Sequence, residues 1–304
     1  MYSLTEPATL FILREPEEKA VKVRKFIDLG TDFSFKKIFG TEPNKEMLID
    51  LLNQLFNGEK KIVDLTYQNT EQLGSMPKSR STLFDIRCTG SDGEEFVVEM
   101  QRTNQSNFLK RILFYTSGLI SQLGKRGRQW NFNLPEIYFV GILDFDFQDE
   151  NPSKYRHHYK LRDDDPEHTV LMEGYGVILL ELPKFKLELA ALKTGLEKWC
   201  YLFKNLNDLD QIPLPLNEGI FKHFFSIAQV SNLSKKEYIM YQNSLLAKQT
   251  EYAVLNYAEK KGREEEVEKI IKNLLARKRF SVSQISNITD RDEAFIQKIK
   301  DSMG

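Results

Sequence analysis

The stretch that most constrains the fold of this chain is residues 81–101, in which two short runs of apolar and β-branched residues flank a turn. The turn is the cluster Gly90-Ser91-Asp92-Gly93, and such a cluster between two runs of this kind is typical of a β-hairpin. Because side chains alternate along a strand, Asp85 and Arg87 are predicted to point to one face of the first strand. The apolar residues of that strand are predicted to point to the other face: Phe84, Ile86 and Cys88.

The turn also predicts which residues face each other across the hairpin. If the loop spans Gly90 to Glu94, Thr89 pairs with Glu95. Asp85 then lies directly opposite Glu99. Opposed residues on one face have Cβ atoms about 5 Å apart, and two carboxylates at that distance raise a pKa unless a cation lies between them. Oxygen ligands of this type suit Mg²⁺ or Mn²⁺.

The acids at this end of the hairpin also fit a second interpretation. The return strand places Glu99 and Gln101 on one face, and that face could be a polar edge exposed to solvent. The carboxylates would then pair with Arg87 or Arg102. The spacing of the residues alone does not decide between a metal site and a solvated edge.

Further stretches in the chain bear on this choice. Asp85, a hairpin and then Glu99-Met100-Gln101 resemble the D…(D/E)xK half-motif of the PD-(D/E)XK nuclease superfamily. Within it, the chain most resembles the recombination-promoting nuclease and transposase family, whose third motif commonly ends in Gln. Phe84 stands where the superfamily name has Pro, a position that mainly shapes the start of the strand. The resemblance covers residues 26–182 best and includes four other blocks: Asp32–Gly40, Asn44–Asn53, Phe108–Ser117 and Ile137–Phe145.

The resemblance implies a fold and an activity. The fold is α/β, with a restriction-endonuclease-like mixed β-sheet core flanked by helices and a mostly helical C-terminal part. The activity is metal-dependent hydrolysis of DNA phosphodiester bonds, in the setting of DNA recombination or anti-phage defence. Asp85, Glu99 and the Met100 carbonyl would hold Mg²⁺ or Mn²⁺, while Gln101 would orient water and donate a hydrogen bond to phosphate. The alternative is a degenerate nuclease fold that acts as a DNA-binding or protein-interaction module.

The superfamily often places an accessory acid near the start of an N-terminal helix. Asp32 occupies such a position, ahead of the helical spacing of Phe35, Ile38 and Phe39. A carboxylate there is also favoured by the helix dipole without any catalytic role. Glu71, in the connector before the hairpin, is a second candidate for the missing acid.

DNA contacts must come from local clusters of cations, because the chain has 43 basic and 44 acidic residues and a formal net charge of −1. Lys125, Arg126 and Arg128 form the compact basic loop of the chain, which predicts contact with a phosphate backbone or, alternatively, a solvated loop that caps a helix. Arg111, on a predicted helix from Asn107 to Leu123, points either to the scissile phosphate or to solvent.

Other polar and sulfur-containing residues predict no second site. The acidic run Asp163–Asp165 and the nearby histidines lack regular spacing, which favours a solvated loop; these histidines are His157, His158 and His168. Cys88 and Cys200 are far apart and are predicted to be buried thiols in a reducing compartment. No signal-peptide pattern and no apolar run near ~20 residues occurs, so we expect a cytoplasmic protein without a membrane span.

The chain divides into four predicted regions. Residues 1–25 form an N-terminal arm, 26–183 the nuclease core, 184–262 a helical region and 263–304 a small three-helix accessory module. The helical region is predicted to end in a helix that stops at Gly262. Its long helices could build a homo-oligomer, although packing within one chain explains them equally well. The module resembles a helix-turn-helix reader in outline, but its second helix offers no Arg or Lys to the bases, which favours an accessory role.

Overall fold

A mixed six-stranded β-sheet forms the centre of the molecule. The computed structural model describes residues 24–68, 71–72, 82–105, 107–124, 130–147 and 151–303, with the backbone alone at 71–72 and 82–83. The strands are β1 Leu65–Tyr67, β2 Glu71–Gln72, β3 Thr82–Leu83, β4 Ile86–Gly90, β5 Glu95–Gln101, β6 Ile137–Leu143, β7 Arg156–Lys160 and β8 Tyr175–Glu181. The α-helices are α1 Asp32–Phe39, α2 Lys45–Phe56, α3 Phe108–Leu123, α4 Gly195–Asn205, α5 Gly219–Ile227, α6 Lys235–Ala276, α7 Val282–Thr289 and α8 Glu293–Ser302.

The order of strands in the large sheet is β1-β4-β5-β6-β8-β7, and β2 pairs with β3 in a separate ribbon. The three central strands β5, β6 and β8 are parallel, while β1, β4 and β7 run antiparallel to their neighbours. Helix α3 connects β5 to β6, as a parallel pair requires. The predicted α/β fold with a mixed sheet between helices is confirmed.

Two apolar layers cover the faces of the sheet. Along β5, Phe96 and Val98 pack into a large cluster with α1, α2, α4 and α5, whereas Val97 packs against α3 on the other face. All seven residues of β6 are buried, as its continuous apolar run predicts for a strand that is covered on both sides.

Helices α1 and α2 hold the N-terminal side of the large cluster. The predicted apolar spacing of α1 is confirmed, since Phe35, Ile38 and Phe39 are buried, and the Thr31 side chain caps the helix by accepting a hydrogen bond from the Ser34 amide. The buried stripe of α2 agrees with the sequence pattern: Met47, Leu48, Leu51, Leu52 and Leu55. Together these helices fix Asp32 at the edge of the sheet.

The polar segment between β6 and β8 differs from the prediction of a solvated loop. Part of it forms the edge strand β7, which pairs antiparallel with β8 because that strand otherwise offers unpaired backbone groups. His157 is buried there, and its Nε2 lies 2.9 Å from Oε1 of the fully buried Glu181. The later part, with Asp163–Asp165 and His168, is exposed as predicted.

The prediction that a helix ends at Gly262 is wrong. Helix α6 continues through this glycine to Ala276, after a capping box at Ser234 and Glu237. A glycine within a helix costs only about 1 kcal/mol relative to alanine. Two ion pairs, each between residues one turn apart, span this glycine and support the helix. No described helix combines the length and apolarity that crossing a membrane requires.

The end of α6 packs with α7 and α8 around a separate small cluster made of Ile271, Ile285, Ile296 and Ile299. A capping box of Ser281 and Gln284 begins α7. The last helix begins at Glu293 with Asp292 as its cap. The four predicted domain boundaries and the homo-oligomer stay predictions.

Candidate active site

The β4–β5 hairpin has the predicted register. Thr89 lies opposite Glu95, and Ile86 opposite Val98. The turn closes with hydrogen bonds from the Gly90 amide to the Glu94 carbonyl and from the Gly93 amide to the Gly90 carbonyl. Gly93 has a φ of +87°, a conformation that residues with a side chain adopt only with strain. This register brings Asp85, which directly precedes β4, next to the end of β5.

Asp85 lies at a bend, and the bend changes the face on which its neighbours lie. Strand alternation predicts that Phe84 shares a face with Ile86. Instead, Phe84 packs with the α3 layer, where its ring meets the Tyr115 ring at a centroid distance of 5.8 Å. The prediction fails because β3 ends at Leu83 and β4 begins at Ile86, so the residues between them do not follow strand geometry. The Met100 amide donates a 2.9 Å hydrogen bond to Oδ2 of Asp85 and holds the bend.

Glu99 is the buried acid of the pair, with only 3% of its surface exposed. Its Oε2 accepts a 2.8 Å hydrogen bond from the side-chain amide of Gln101. Burial and, second to it, the negative charge of Asp85 together raise the pKa of Glu99 to about 7, against the opposing effects of Gln101 and Arg111. A substantial fraction of Glu99 therefore carries a proton near neutral pH when no cation is bound.

Asp85 has a raised pKa as well. Burial is the main cause, and the charge of Asp32 adds to it, while the Met100 amide and the more distant Lys36 lower the pKa. Both acids thus lie where the protein disfavours their charged forms. Such a pair is typical of a functional site, because a core made only for stability seldom retains unneutralised acids.

The arginines of the second interpretation have other partners. Arg87 pairs with Glu95 at 3.1 Å, and Arg102 pairs with Glu251 at 2.7 Å. Within the described parts of the chain, no Lys or Arg lies within ion-pair distance of Asp85 or Glu99. The alternative of a solvated edge neutralised by Arg87 or Arg102 is therefore wrong for these two acids.

A polar cleft of about 200 Å³ lies at the carboxyl end of β5, and Asp85 lines it. Five residues of its wall are predicted site residues: Asp32, Asp85, Met100, Gln101 and Arg111. A wider groove of about 1290 Å³ adjoins the cleft between α1 and α6 and shares Asp32 and Asp85 with it. The fold therefore brings residues from α1, the hairpin and α3 to one opening. The opening lies at the carboxyl ends of parallel strands, where ligands bind in α/β folds.

Asp32 lies on the wall of the cleft but is neutralised by its own helix. Its Oδ1 lies 2.7 Å from Nζ of Lys36, one turn later. No group of three Asp, Glu, His or Cys side chains in the described residues is arranged to hold a metal ion. Asp32 as third acid stays a prediction, and so does Glu71, of which the structure describes only the backbone in β2.

Arg111 faces the cleft from α3. Its Nη1 donates a hydrogen bond to the Gln105 side chain, its Nε donates one of 3.3 Å to the Tyr115 hydroxyl, and its guanidinium lies 5.5 Å from the Tyr115 ring centroid. These contacts hold the Arg111 guanidinium at the cleft that Asp85 lines, and its charge lowers the pKa of Glu99. The basic loop predicted to contact DNA, with Lys125, Arg126 and Arg128, lies outside the described residues.

Besides Gln105, which binds Arg111, two residues of the cleft were missed by the sequence reasoning as parts of the site. Arg102 follows Gln101 directly, and that adjacency was a usable signal. Glu251 comes from α6, and no pattern in the sequence connects a residue in that helix with the hairpin. The two side chains meet at Nε–Oε2 and Nη2–Oε2 distances of 2.8 Å and 2.7 Å.

The oxygen atoms of the site fit a hard divalent cation. Asp85 and Glu99 would supply carboxylates and the Met100 backbone a carbonyl, and both acids have pKa values raised by burial, which a bound cation would reverse. Nitrogen and sulfur ligands are not required for Mg²⁺ or Mn²⁺. The residues present therefore fit such an ion, with water or substrate completing its coordination.

Comparison with known protein families adds independent evidence to this geometry. The family described as PD-(D/E)XK nuclease family transposase matches residues 29–258, which is more than half of the chain. The matched region includes the sheet, both layers of helices and the whole cleft. Comparison with curated proteins and with solved structures found no match. The family match and the mixed sheet agree, and the chain belongs to the PD-(D/E)XK nuclease family transposases.

Proposed function

We propose that this protein is a metal-dependent DNA endonuclease that hydrolyses phosphodiester bonds. The observation that carries the proposal is the pair Asp85 and Glu99: both have raised pKa values, the charge of Asp85 acts on Glu99, and no cationic side chain of the described chain lies at ion-pair distance from either. Asp85 lines the polar cleft. Membership of a nuclease family supports DNA as the substrate. The setting of recombination or anti-phage defence rests on the family resemblance.

The acids and the Met100 carbonyl would hold Mg²⁺ or Mn²⁺. A bound ion of this kind supplies an activated water and neutralises charge on the phosphate. The chain itself contributes the positions of the ligands, since the Met100 amide holds Asp85 and the Gln101 amide holds Glu99. Burial of Glu99 makes its charged form depend on the cation, so we expect metal binding to release a proton near neutral pH.

Gln101 stands where most relatives of the superfamily have Lys. Its amide cannot titrate or carry a full positive charge, so its role is to orient Glu99 and to donate a hydrogen bond to water or phosphate. Arg111 lies at the same cleft and supplies the positive charge that Gln101 lacks. A charged donor aimed at the phosphate is worth more than a neutral one in a site shielded from water.

A second candidate function is a catalytically degenerate nuclease fold that binds DNA or another protein. Two observations favour it: Gln101 replaces Lys, and the described residues contain no complete group of three metal-binding side chains. In a protein that binds without cleaving, the cleft and its cations would contact the partner, and the acid pair would serve only to hold the hairpin.

Supercoiled plasmid DNA tests the proposal. The wild-type protein should nick or linearise the plasmid with Mg²⁺ and not with EDTA. Asp85→Asn and Glu99→Gln preserve shape but remove charge, so each should abolish cleavage while folding is kept. Asp92→Asn makes the same chemical change at the exposed tip of the hairpin and should cleave like the wild type. Wild-type protein that binds the plasmid but never cuts it would support the degenerate alternative.

A further inference from the structure

Arg102 directly follows the strand that carries Glu99 and Gln101, yet a carboxylate already neutralises it. Glu251 binds the Nε and Nη2 atoms of its guanidinium, and Nη1 donates a long 3.5 Å hydrogen bond to the Gly30 carbonyl. Both side chains line the cleft beside Asp85. The guanidinium therefore has its charge at the position where a DNA phosphate would enter.

The Arg102–Glu251 ion pair can be exchanged at little cost. Their side chains are 21% and 31% exposed, and an exposed ion pair contributes at most about 1 kcal/mol. An arginine fork matches carboxylate and phosphate oxygens equally well. A phosphate that reaches the cleft can thus replace Glu251 on Arg102 without leaving a buried charge unpaired.

Helix α6 has other contacts that keep Glu251 near the cleft when the pair opens. One turn before Glu251, Lys248 pairs with Asp28 at 2.9 Å, and the next residue, Tyr252, donates a 2.6 Å hydrogen bond to Asp144. Thr103 also donates a 3.2 Å hydrogen bond to Oε1 of Glu251. Glu251 therefore remains a competing anion at the cleft after Arg102 has turned to the phosphate.

From these contacts we propose that Arg102 binds a phosphate of the DNA strand next to the acid pair, and that Glu251 occupies this cation as a phosphate mimic until DNA displaces it. The inference rests on the proposed function, because it takes DNA as the substrate of the cleft. Glu251 then competes with DNA for Arg102. This competition weakens DNA binding and restricts binding to strands whose phosphate reaches Arg102.

Equilibrium binding of a short fluorescent DNA duplex in EDTA tests the inference without cleavage. Glu251→Gln should bind up to about fivefold more tightly, which corresponds to the loss of a competing ion pair worth at most about 1 kcal/mol. Arg102→Ala should bind more weakly than the wild type. The double variant should bind like Arg102→Ala alone, since removal of Glu251 helps only when Arg102 is present.

Salt dependence separates this role from a structural one. In Glu251→Gln, Arg102 becomes an unpaired cation, so the slope of log K against log [salt] should become steeper by about 0.9. Arg102→Ala should remove that increment in the double variant. A helix anchor with no role in binding would lower the melting temperature without changing the affinity or the slope.

The pair Glu259 and Arg263 provides a matched control. This pair lies on the same helix and also joins a Glu to an Arg. Both of its side chains are exposed to solvent, and neither lines this cleft. Glu259→Gln makes the same change in net charge and should leave the slope unchanged, while Arg263→Ala controls for Arg102→Ala. An equal gain in affinity from Glu259→Gln and Glu251→Gln would mean a general charge effect and would overturn the inference.

The results distinguish this inference from the proposed function. If the wild type cleaves plasmid with Mg²⁺ but Glu251→Gln binds no more tightly, the inference fails and the nuclease function remains. If the wild type binds DNA with the predicted effects but never cleaves it, the phosphate site stands and the nuclease function fails. A wild-type protein without measurable affinity for DNA overturns both.

Discussion

The substitution Glu99→Gln should stabilise the metal-free protein at alkaline pH. Burial and the neighbouring Asp85 charge raise the Glu99 pKa from 4.5 to about 7. A tenfold change in a proton equilibrium corresponds to about 1.4 kcal/mol, so the charged form of Glu99 destabilises the fold by about 3 kcal/mol. Glutamine has the same shape, keeps an acceptor for the Gln101 amide and carries no charge.

The sign of the pH dependence follows from proton binding. Between pH 4.5 and 7 the folded protein retains the Glu99 proton that the unfolded chain has lost, so folding stability falls as pH rises through this window. Below pH 4.5 Glu99 is protonated in both states and contributes no difference. Above pH 7 the destabilisation is fully present, and it is there that Glu99→Gln should gain most.

Urea unfolding in EDTA at pH 5 and pH 8 measures this effect. We expect the free-energy difference between Glu99→Gln and the wild type to grow by about 2.5 kcal/mol between the two pH values, because a small part of the effect is already present at pH 5. Carboxylates that do not interact with Glu99 contribute equally to both proteins. Asp92→Asn, at the exposed tip of the same hairpin, should show no such growth. A difference that stays constant from pH 5 to pH 8 would refute the argument that Glu99 is held in an unfavourable charged state.

Three further predictions concern the site and the two cores. Gln101→Lys should keep or raise Mg²⁺-dependent plasmid cleavage because it adds a cation at the phosphate, whereas Gln101→Ala should reduce cleavage less than either acid variant; equal loss in both Gln101 variants would contradict the role given to the amide. Truncation after Gly262 should leave the melting temperature of the main core nearly unchanged, because the small cluster around Ile271 shares no residue with that core, while DNA binding or self-association should weaken. A large fall in melting temperature would mean that the tail is part of the core. Leu51→Ala should lower the free energy of unfolding by about 2–5 kcal/mol in urea, because this fully buried side chain of α2 would leave a cavity; a loss below 1 kcal/mol would mean that the layer repacks.

The register of the hairpin could be predicted because two local signals agree on it. The cluster Gly90–Gly93 limits the length of the loop, and the two-residue period of the strands then fixes which residues face each other. The burial of β6 on both faces followed from its continuous apolar run in the same way. Each of these signals lies within about a dozen residues of the feature it predicts.

The features that were missed depend on partners far along the chain. The bend at Asp85 depends on the Met100 amide and on the packing of Phe84 against α3. The alternation of side chains along a strand gives no information on either contact. Strand β7 forms because β8 offers an edge, although its own residues are polar. Glu251 reaches the cleft only because α6 passes over the carboxyl ends of the strands, where its ion pair with Arg102 spans 149 positions.

Binding of Mn²⁺ followed by calorimetry tests the central claim, that Asp85 and Glu99 together form a metal site. The wild-type protein at neutral pH should bind Mn²⁺ saturably and release protons on binding, because Glu99 has a pKa of about 7 without metal. Asp85→Asn and Glu99→Gln should each lose this binding, while Asp92→Asn should keep it. Binding of Mn²⁺ to Asp85→Asn with wild-type affinity and proton release would contradict the claim.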